Sequence, residues 1–181
     1  IDINEIWRLY HTTPNFWHIL RENPELLEDF MEAGVDIQMD GPQSTPVHYA
    51  AIYGCHECLR IFAKYNLDLN HINIYRKYDN TPVHIACEKG NTDCLRVLWE
   101  EGADLNKMSH DLLNPVHTAA CNGHTDCLVF LHEAGVDLNM TDSVIGWTPV
   151  HWAAIAGYSE CLRILFHLGA NMNTVDSEGI T

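Results

Sequence analysis

A tetrapeptide that recurs at nearly constant spacing constrains the fold of this 181-residue chain more than any other feature. The prolines of its four copies are separated by 36, 33 and 34 residues. After each proline an alanine follows four residues on, a glycine eight residues on and a Cys-Leu pair twelve residues on. Self-similarity with a period of this size indicates an array of stacked units, each one a supersecondary element. The copies are residues 45–48, 81–84, 114–117 and 148–151.

Each landmark has a local structural role. The Thr or Asn before each proline can cap a helix, and proline is well suited to the first helical position. The pattern therefore predicts a helix of about eight residues that stops at glycine, followed by a second, amphipathic helix. The second helix ends at Gly or, in one copy, at Asn66, the two residue types that tolerate a left-handed backbone. Its apolar face in the second copy consists of Cys94, Leu95, Val97 and Leu98.

The whole pattern, Thr-Pro-Val-His, then Cys-Leu, then Gly-Ala-Asp-Leu-Asn, resembles the ankyrin repeat family. Val stands where the family usually has Leu in the tetrapeptide, and Cys opens the apolar face of the second helix. The resemblance implies an all-α repeat solenoid of helix-turn-helix pairs joined by β-hairpin fingers. We expect at least five stacked repeats, of which the first is a degenerate cap.

The period also predicts the organisation along the chain. The first unit aligns at Thr13-Pro14 but is more polar, as suits a terminal repeat with one wet face. The last residues match the lead-in to another Thr-Pro, so we expect the array to continue. The predicted units are a lead-in helix at 1–12, a capping repeat at 13–39, repeats at 40–75, 76–108, 109–142 and 143–175, and the start of a truncated repeat at 176–181.

Composition narrows the partners and the compartment. Ten Lys and Arg against 25 Asp and Glu give a net charge of −15, which disfavours nucleic acid and favours a protein or peptide with a basic segment. No apolar run approaches the ~18 residues of a membrane helix, so no membrane partner is expected. An odd number of cysteines, seven, and an acidic start without a secretory pattern predict a reducing, intracellular location, cytoplasmic or nuclear. We expect a monomer.

The residues suggest no catalysis, metal or cofactor. Residues 55–58, Cys-His-Glu-Cys, look like a metal or redox pair, but Cys58 shares its repeat position with three other cysteines, which indicates core packing. No second pair lies at zinc-ligand spacing. The tetrapeptide histidine recurs four times in the same surroundings, which is typical of a scaffold, whereas catalysis needs a nucleophile or carboxylate held beside it. We predict that this chain is not an enzyme.

Positions that differ between copies carry the information about partners. The resemblance implies that finger tips and the last residues of each first helix line a concave face. The finger between Asn66 and Pro82 is three residues longer than the 33-residue spacing needs and carries Tyr and Arg, which are enriched in binding hot spots. The alternative is a solvated insertion, since long loops cost little. We expect Trp147 either to anchor a bound partner or to pack on the adjacent finger. The predicted partner-binding residues are Tyr53, Tyr75, Arg76, Lys77, Tyr78, Glu88, Lys89, Ile145 and Trp147.

A repeated asparagine ends each Asp-Leu-Asn segment. The aspartates two residues earlier indicate turn chemistry. The resemblance implies that Asn70, Asn106 and Asn139 are possible substrates of an asparaginyl hydroxylase.

These observations favour a non-catalytic protein–protein interaction module that binds a protein or peptide along its concave face and fingers. The alternative is the targeting domain of a larger enzyme, such as a kinase, ubiquitin-ligase receptor, acyltransferase or bacterial effector, whose catalytic part lies outside this chain. A mechanical spacer is a third possibility.

Overall fold

A computed structural model provides the fold, and the described part of the chain contains eleven α-helices. The residues described are 3–35, 37, 45–72, 80–109, 113–179 and 181. The helices are α1 (Ile3–Tyr10), α2 (Pro14–Glu22), α3 (Glu25–Glu32), α4 (Pro46–Tyr53), α5 (His56–Lys64), α6 (Pro82–Lys89), α7 (Thr92–Glu100), α8 (Pro115–Asn122), α9 (Thr125–Glu133), α10 (Pro149–Ala156) and α11 (Ser159–His167).

The helices form five pairs stacked in two layers. Helices α2, α4, α6, α8 and α10 each contact the next member of that series, and α3, α5, α7, α9 and α11 do the same in the second layer. Each first helix also packs against its own second helix, for example α6 against α7. Helices of eight or nine residues are too short to be stable alone, so burial between neighbouring pairs stabilises them. This confirms the predicted all-α repeat solenoid.

Local signals place the helix ends where the repeated pattern predicts them. The backbone N–H of His117 donates to Asn114 Oδ1 at 3.0 Å, and that of His84 donates to Thr81 Oγ1 at 3.4 Å, while proline occupies the first turn. Asn66 has φ +59°, as expected where it replaces the glycine that follows the second helix in the other copies. No other non-glycine residue among those described has a left-handed backbone.

Position 90 requires glycine for two reasons, its backbone conformation and the side chain that lies next to it. Its φ is +69°, and a Cβ built there would lie 2.5 Å from Nδ1 of His124. That imidazole ring is held in place because its Nε2 donates to the carbonyl of Glu88 at 2.9 Å.

We therefore expect Gly90→Ala to lower the free energy of unfolding by about 2–3 kcal/mol, combining backbone strain with the clash. Gly102→Ala is the matched control, because Gly102 has φ +87° but meets no atom within 4 Å. Its loss should be near the ~1 kcal/mol of backbone strain alone. Urea unfolding measures both variants, and equal losses would contradict the contact with His124.

The core runs continuously between the layers. Leu59, Leu95 and Leu128, at equivalent positions of α5, α7 and α9, are fully buried. At the first pair, α1 covers the end of the stack, with Trp7 against rings of α2 and α3. Its Trp7 is 0% exposed and packs edge-on against Phe16 at 5.5 Å. The aromatic side chain of Trp7 therefore covers the end of the degenerate first repeat.

The expected β-hairpin fingers are not supported, because the described residues contain no β-strand. One finger is closed by a single backbone hydrogen bond, from Asp142 N–H to the carbonyl of Trp147 at 2.8 Å. Inside it the backbone N–H groups bond to the Asp142 carboxylate, which takes the place of a strand ladder. The finger tips are predicted at 40–44, 75–80, 110–113 and 144–147. Of these positions, the structure describes Asn80, Leu113 and 144–147.

Candidate functional site

The last residues of the first helices form one side of the stack. The ring of Tyr53, at the end of α4, stacks on Tyr49 with centroids 6.5 Å apart and has His18 edge-on at 6.0 Å. At the equivalent end of α6, Lys89 is exposed and its Nζ lies 2.6 Å from Glu88 Oε1. Since α4 and α6 are neighbours, an aromatic surface and a charged pair lie side by side.

The backbone beneath this surface is tied down from the following repeat. Asn91 Nδ2 donates to the carbonyls of Ala51 and Ile52 at 2.8 and 3.2 Å, and His124 Nε2 bonds the carbonyl of Glu88. Both side chains satisfy carbonyls at the end of a helix that have no partner within it. Sequence reasoning missed these residues. The sequence contains a signal for them. Asn91 and His124 each directly follow the glycine that ends a first helix, and their side chains can pack over or bond to the previous repeat.

The 142–147 finger is built around one buried carboxylate. Asp142 is 3% exposed, and its Oδ1 accepts from the backbone N–H groups of Val144, Ile145 and Gly146 at 2.9–3.2 Å. Oδ2 accepts from Trp152 Nε1 at 3.0 Å. Burial by itself raises the pKa of Asp142, but these hydrogen bonds outweigh it, so the pKa lies below its ordinary value. The carboxylate thus stays ionised and holds the finger in one shape.

We expect Asp142→Ala to lower the free energy of unfolding by roughly 2–4 kcal/mol, because it leaves several donors without their acceptor. Asp137→Ala is the control, since exposed Asp137 accepts a backbone bond from Asn139 at 2.8 Å in a similar turn. Its loss should stay below about 1 kcal/mol. Thermal and urea unfolding of both variants test this, and a similar small loss for the two would show that Asp142 does not organise the finger.

Trp147 packs on the adjacent segment and is partly buried. Its Nε1 donates to Asp176 Oδ2 at 2.9 Å, and its ring stacks on His151 with centroids 6.2 Å apart. Ile145 is also partly buried, and its carbonyl accepts from Ser177 N–H at 3.1 Å. The most exposed apolar side chain of this finger is Val144, at 71%. The structure therefore brings Ile145 and Trp147 together in a rigid finger and presents Val144 at its surface.

Residues 73–79 of the long finger between Asn66 and Pro82 lie outside the described residues, and with them Tyr75, Arg76, Lys77 and Tyr78. The segment re-enters the described part at Asn80, whose carbonyl lies 3.1 Å from Nε2 of His48. The end of this finger, which leads into α6, is thus joined to α4, the first helix of the preceding repeat.

The predicted hydroxylation sites sit in turns along one edge. Asp68, Asp104 and Asp137 each accept from the backbone N–H of the asparagine two residues on, at 2.8 Å, which confirms the turn chemistry. Asn70 Oδ1 accepts from the N–H of Asp104 at 2.8 Å, which links one repeat to the next. Asn106 and Asn139 are exposed, and Asn70 is partly buried.

The tetrapeptide histidines join neighbouring repeats. His84 is 0% exposed, with Nδ1 2.8 Å from Thr81 Oγ1 and Nε2 3.0 Å from the carbonyl of Leu113. Since a carbonyl can only accept, Nε2 carries the hydrogen and Nδ1 accepts from the threonine. Burial is the largest cause that lowers the pKa of His84, to about 4, so the ring is neutral near neutral pH. This geometry is structural, and no described carboxylate bonds to the ring.

The cysteines show one departure from the sequence analysis. Cys58 is fully buried, as core packing predicts, but it also forms a disulfide with Cys55, which had been weighed only as a superficial metal or redox motif. The pairing arises because the start of α5 places the two side chains on the same turn. Burial raises the pKa of Cys94 to about 12 and that of Cys121 to about 11, so both are thiols near neutral pH.

The described residues offer neither a metal-binding group nor a membrane-spanning helix. Within the ranges given above, no group of three or more His, Cys, Asp or Glu side chains is arranged to hold a metal ion. None of the helices in that part of the chain has the length and apolar character needed to cross a bilayer.

Stacked helix pairs, joined from the second pair to the fifth by buried histidines, define a helical repeat protein. A family model described as ankyrin repeats, in three copies, matches residues 16–109 and 106–176. The chain belongs to the ankyrin repeat family. Ankyrin repeats are generally protein–protein interaction modules and are typically non-catalytic. Among curated proteins, no relative matches the chain.

Proposed function

We propose that this chain is a non-catalytic interaction module that binds a protein or peptide along its concave face and fingers. One observation carries the proposal. Side chains that repeat from copy to copy, such as Leu95, Leu128 and His84, are fully buried, whereas the first-helix ends differ between copies and reach solvent. Residues that are the same in the repeat copies stabilise the stack, whereas residues that differ between copies are available to contact a partner.

Charge supports a partner with a basic segment. Two of the ten basic residues, Arg60 and Lys64, are engaged by carboxylates of neighbouring repeats, with Glu100 and Glu28 each at 2.8 Å. The hydrogen bond to Glu100 is the main cause that raises the pKa of Arg60. With 25 acidic residues in the chain, an excess of carboxylates remains to attract a cationic segment.

The surface we propose contains Tyr53, Glu88 and Lys89 at the helix ends, the long finger, and the rigid 142–147 finger. The partly exposed ring of Tyr53 is already ordered because it stacks on the buried Tyr49, so little side-chain entropy is lost on binding. Trp147 is likewise held by Asp176, and the part of its ring that reaches solvent would contribute a fixed contact. The long finger contributes Tyr75, Arg76, Lys77 and Tyr78.

We make three further proposals from the sequence. Asn70, Asn106 and Asn139 are substrates for hydroxylation rather than parts of a catalytic site. The module is a monomer. It acts in an intracellular compartment, a proposal that rests on the sequence: five of the seven cysteines are free, whereas Cys55 and Cys58 form a disulfide.

A pull-down from cell lysate read by mass spectrometry tests the proposed function. The native chain is compared with a variant that carries alanine at Tyr53, Lys89 and the four long-finger residues. The matched control carries alanine at Trp99 and Lys64, which are exposed on second helices. A discrete protein captured by the native chain and the control but lost by the surface variant supports the module and locates its contacts, provided that all three melt alike. Capture that persists in the surface variant, or a partner lost only in the control, moves the interface to another face.

A further inference from the structure

The interface between the first two helix pairs contains a buried carbonyl that its own helix cannot satisfy. Leu20 lies in the last turn of α2 and is 0% exposed. In a regular helix its carbonyl would accept from the N–H four residues on, but Pro24 stands there and has no N–H. No backbone N–H of the described residues bonds this carbonyl. The polar atom that reaches it is the sulfur of Cys58 on α5, at 3.9 Å.

The next interface does not depend on a cysteine in the same way. Cys94 on α7 reaches the carbonyl of Ala50 at 3.8 Å, and it is a free thiol that can donate. The carbonyl of Ala50 also accepts from the backbone N–H groups of Gly54 and Cys55. The thiol of Cys94 is therefore one donor of three, whereas Cys58 is the one side chain placed to serve Leu20 among the residues described.

The sulfur of Cys58 cannot donate while it is oxidised. It is bonded to Cys55, and a disulfide sulfur carries no hydrogen. The buried carbonyl of Leu20 is then left without a donor, which costs free energy at the contact between α2 and α5. Breaking the disulfide gives Cys58 an S–H group within reach of that carbonyl.

We propose that Cys55–Cys58 is a redox modification site, and that its reduction by a dithiol strengthens the packing of α2 and α3 on α4 and α5. The site uses the Cys-His-Glu-Cys motif of residues 55–58, for which the interaction module has no other use. The inference rests on the disulfide and on the carbonyl beneath it, and it is independent of the proposed function.

The reaction is thiol–disulfide exchange. Gly54 and His56, on either side of Cys55, line a surface groove, and a small dithiol enters from it when the start of α5 opens locally. A thiolate of the dithiol attacks the sulfur of Cys55, the S–S bond breaks, and its electron pair leaves on Cys58, which takes up a proton. The second thiol then releases Cys55 as a thiol. The chain gains two electrons and two protons, and the dithiol becomes a disulfide.

Hydrogen exchange of the native chain in its two redox states tests the site. The chain is oxidised with glutathione disulfide or reduced with dithiothreitol, and alkylation with mass spectrometry counts the thiols at positions 55 and 58. We expect exchange in α2 and α3 to slow roughly threefold or more on reduction, the factor for one net hydrogen bond. Exchange in α10 and α11 should not change, because each pair contacts only its neighbours.

Two variants separate the donor from the cross-link. Cys55→Ala cannot form the disulfide but keeps the Cys58 thiol, so exchange in α2 and α3 should be slow with or without dithiothreitol. Cys58→Ala has neither, so exchange there should be as fast as in the oxidised chain or faster in both conditions. Cys94→Ala is the matched control. It removes a buried sulfur whose acceptor keeps two N–H donors, and it should retain the native response to dithiothreitol.

Three outcomes overturn the proposal. Equal exchange of α2 and α3 in the oxidised and reduced chains shows that the redox state does not affect the interface. Fast exchange in Cys55→Ala shows that the Cys58 thiol does not support Leu20. If glutathione disulfide and dithiothreitol fail to interconvert the pair in the folded chain, Cys55 and Cys58 are not a redox site.

Discussion

Leu128→Ala is expected to lower the free energy of unfolding by about 2–5 kcal/mol, the range for removing a leucine from a packed core. Leu128 is 0% exposed and lies on α9, between α7 and α11. The cavity would open at two interfaces at once, since each helix pair packs against both of its neighbours. Urea unfolding should show a lower midpoint with an unchanged slope.

Leu162→Ala is the matched control, because Leu162 has the same repeat position in α11 but only one neighbouring pair and partial exposure. Its loss should be roughly half that of Leu128→Ala, in line with the smaller apolar area buried. Equal losses would show that Leu162 is packed as tightly as Leu128, which would contradict its partial exposure.

Acidification is expected to destabilise the stack by roughly 3 kcal/mol through His84 alone. Burial holds the pKa of His84 at about 4, below the ordinary value of 6.5. Between these values the unfolded chain binds a proton that the folded chain excludes. The stability is therefore complete above pH 6.5, falls as the pH drops to about 4, and loses nothing more through this group below that pH. Burial also lowers the pKa of His117, which adds to the loss in the same direction.

The measurement is urea unfolding at several pH values for the native chain, His84→Gln and His132→Gln. His132 is exposed on α9 and serves as the control. The native chain and the control should lose stability steeply between pH 6.5 and 4, and His84→Gln should lose distinctly less over that interval. The same slope in all three chains would mean that His84 does not control the pH dependence.

Local features could be predicted well from sequence. The Thr-Pro and Asn-Pro steps predict helix starts, the glycines predict helix ends, and Asn66 has the left-handed backbone that its alignment with glycine requires. These devices act within a few residues, so their physics is contained in the pattern. Burial of the Cys-Leu face followed from the same argument, because short helices need neighbours.

Side-chain contacts that do not recur from repeat to repeat were harder to predict. Asp142 collects donors from its own finger and from Trp152, and Trp147 depends on Asp176 from the following segment. No spacing rule places those groups together. The disulfide of Cys55 and Cys58 depends on a side-chain approach that the repeated pattern hid, because the other three repeats have no cysteine at the Cys55 position. The β-hairpin expectation came from resemblance alone, and in the 142–147 finger a carboxylate replaces the ladder.

Hydrogen exchange of the chain with and without its captured partner tests the central claim most directly. If the concave face binds, exchange should slow at the ends of the first helices, residues 52–53, 88–89, 121–122 and 155–156, and in the 142–147 finger. The second helices should be largely unchanged. Protection confined to the outer side of α5, α7, α9 and α11, with the first-helix ends unaffected, would contradict the assignment of the binding surface.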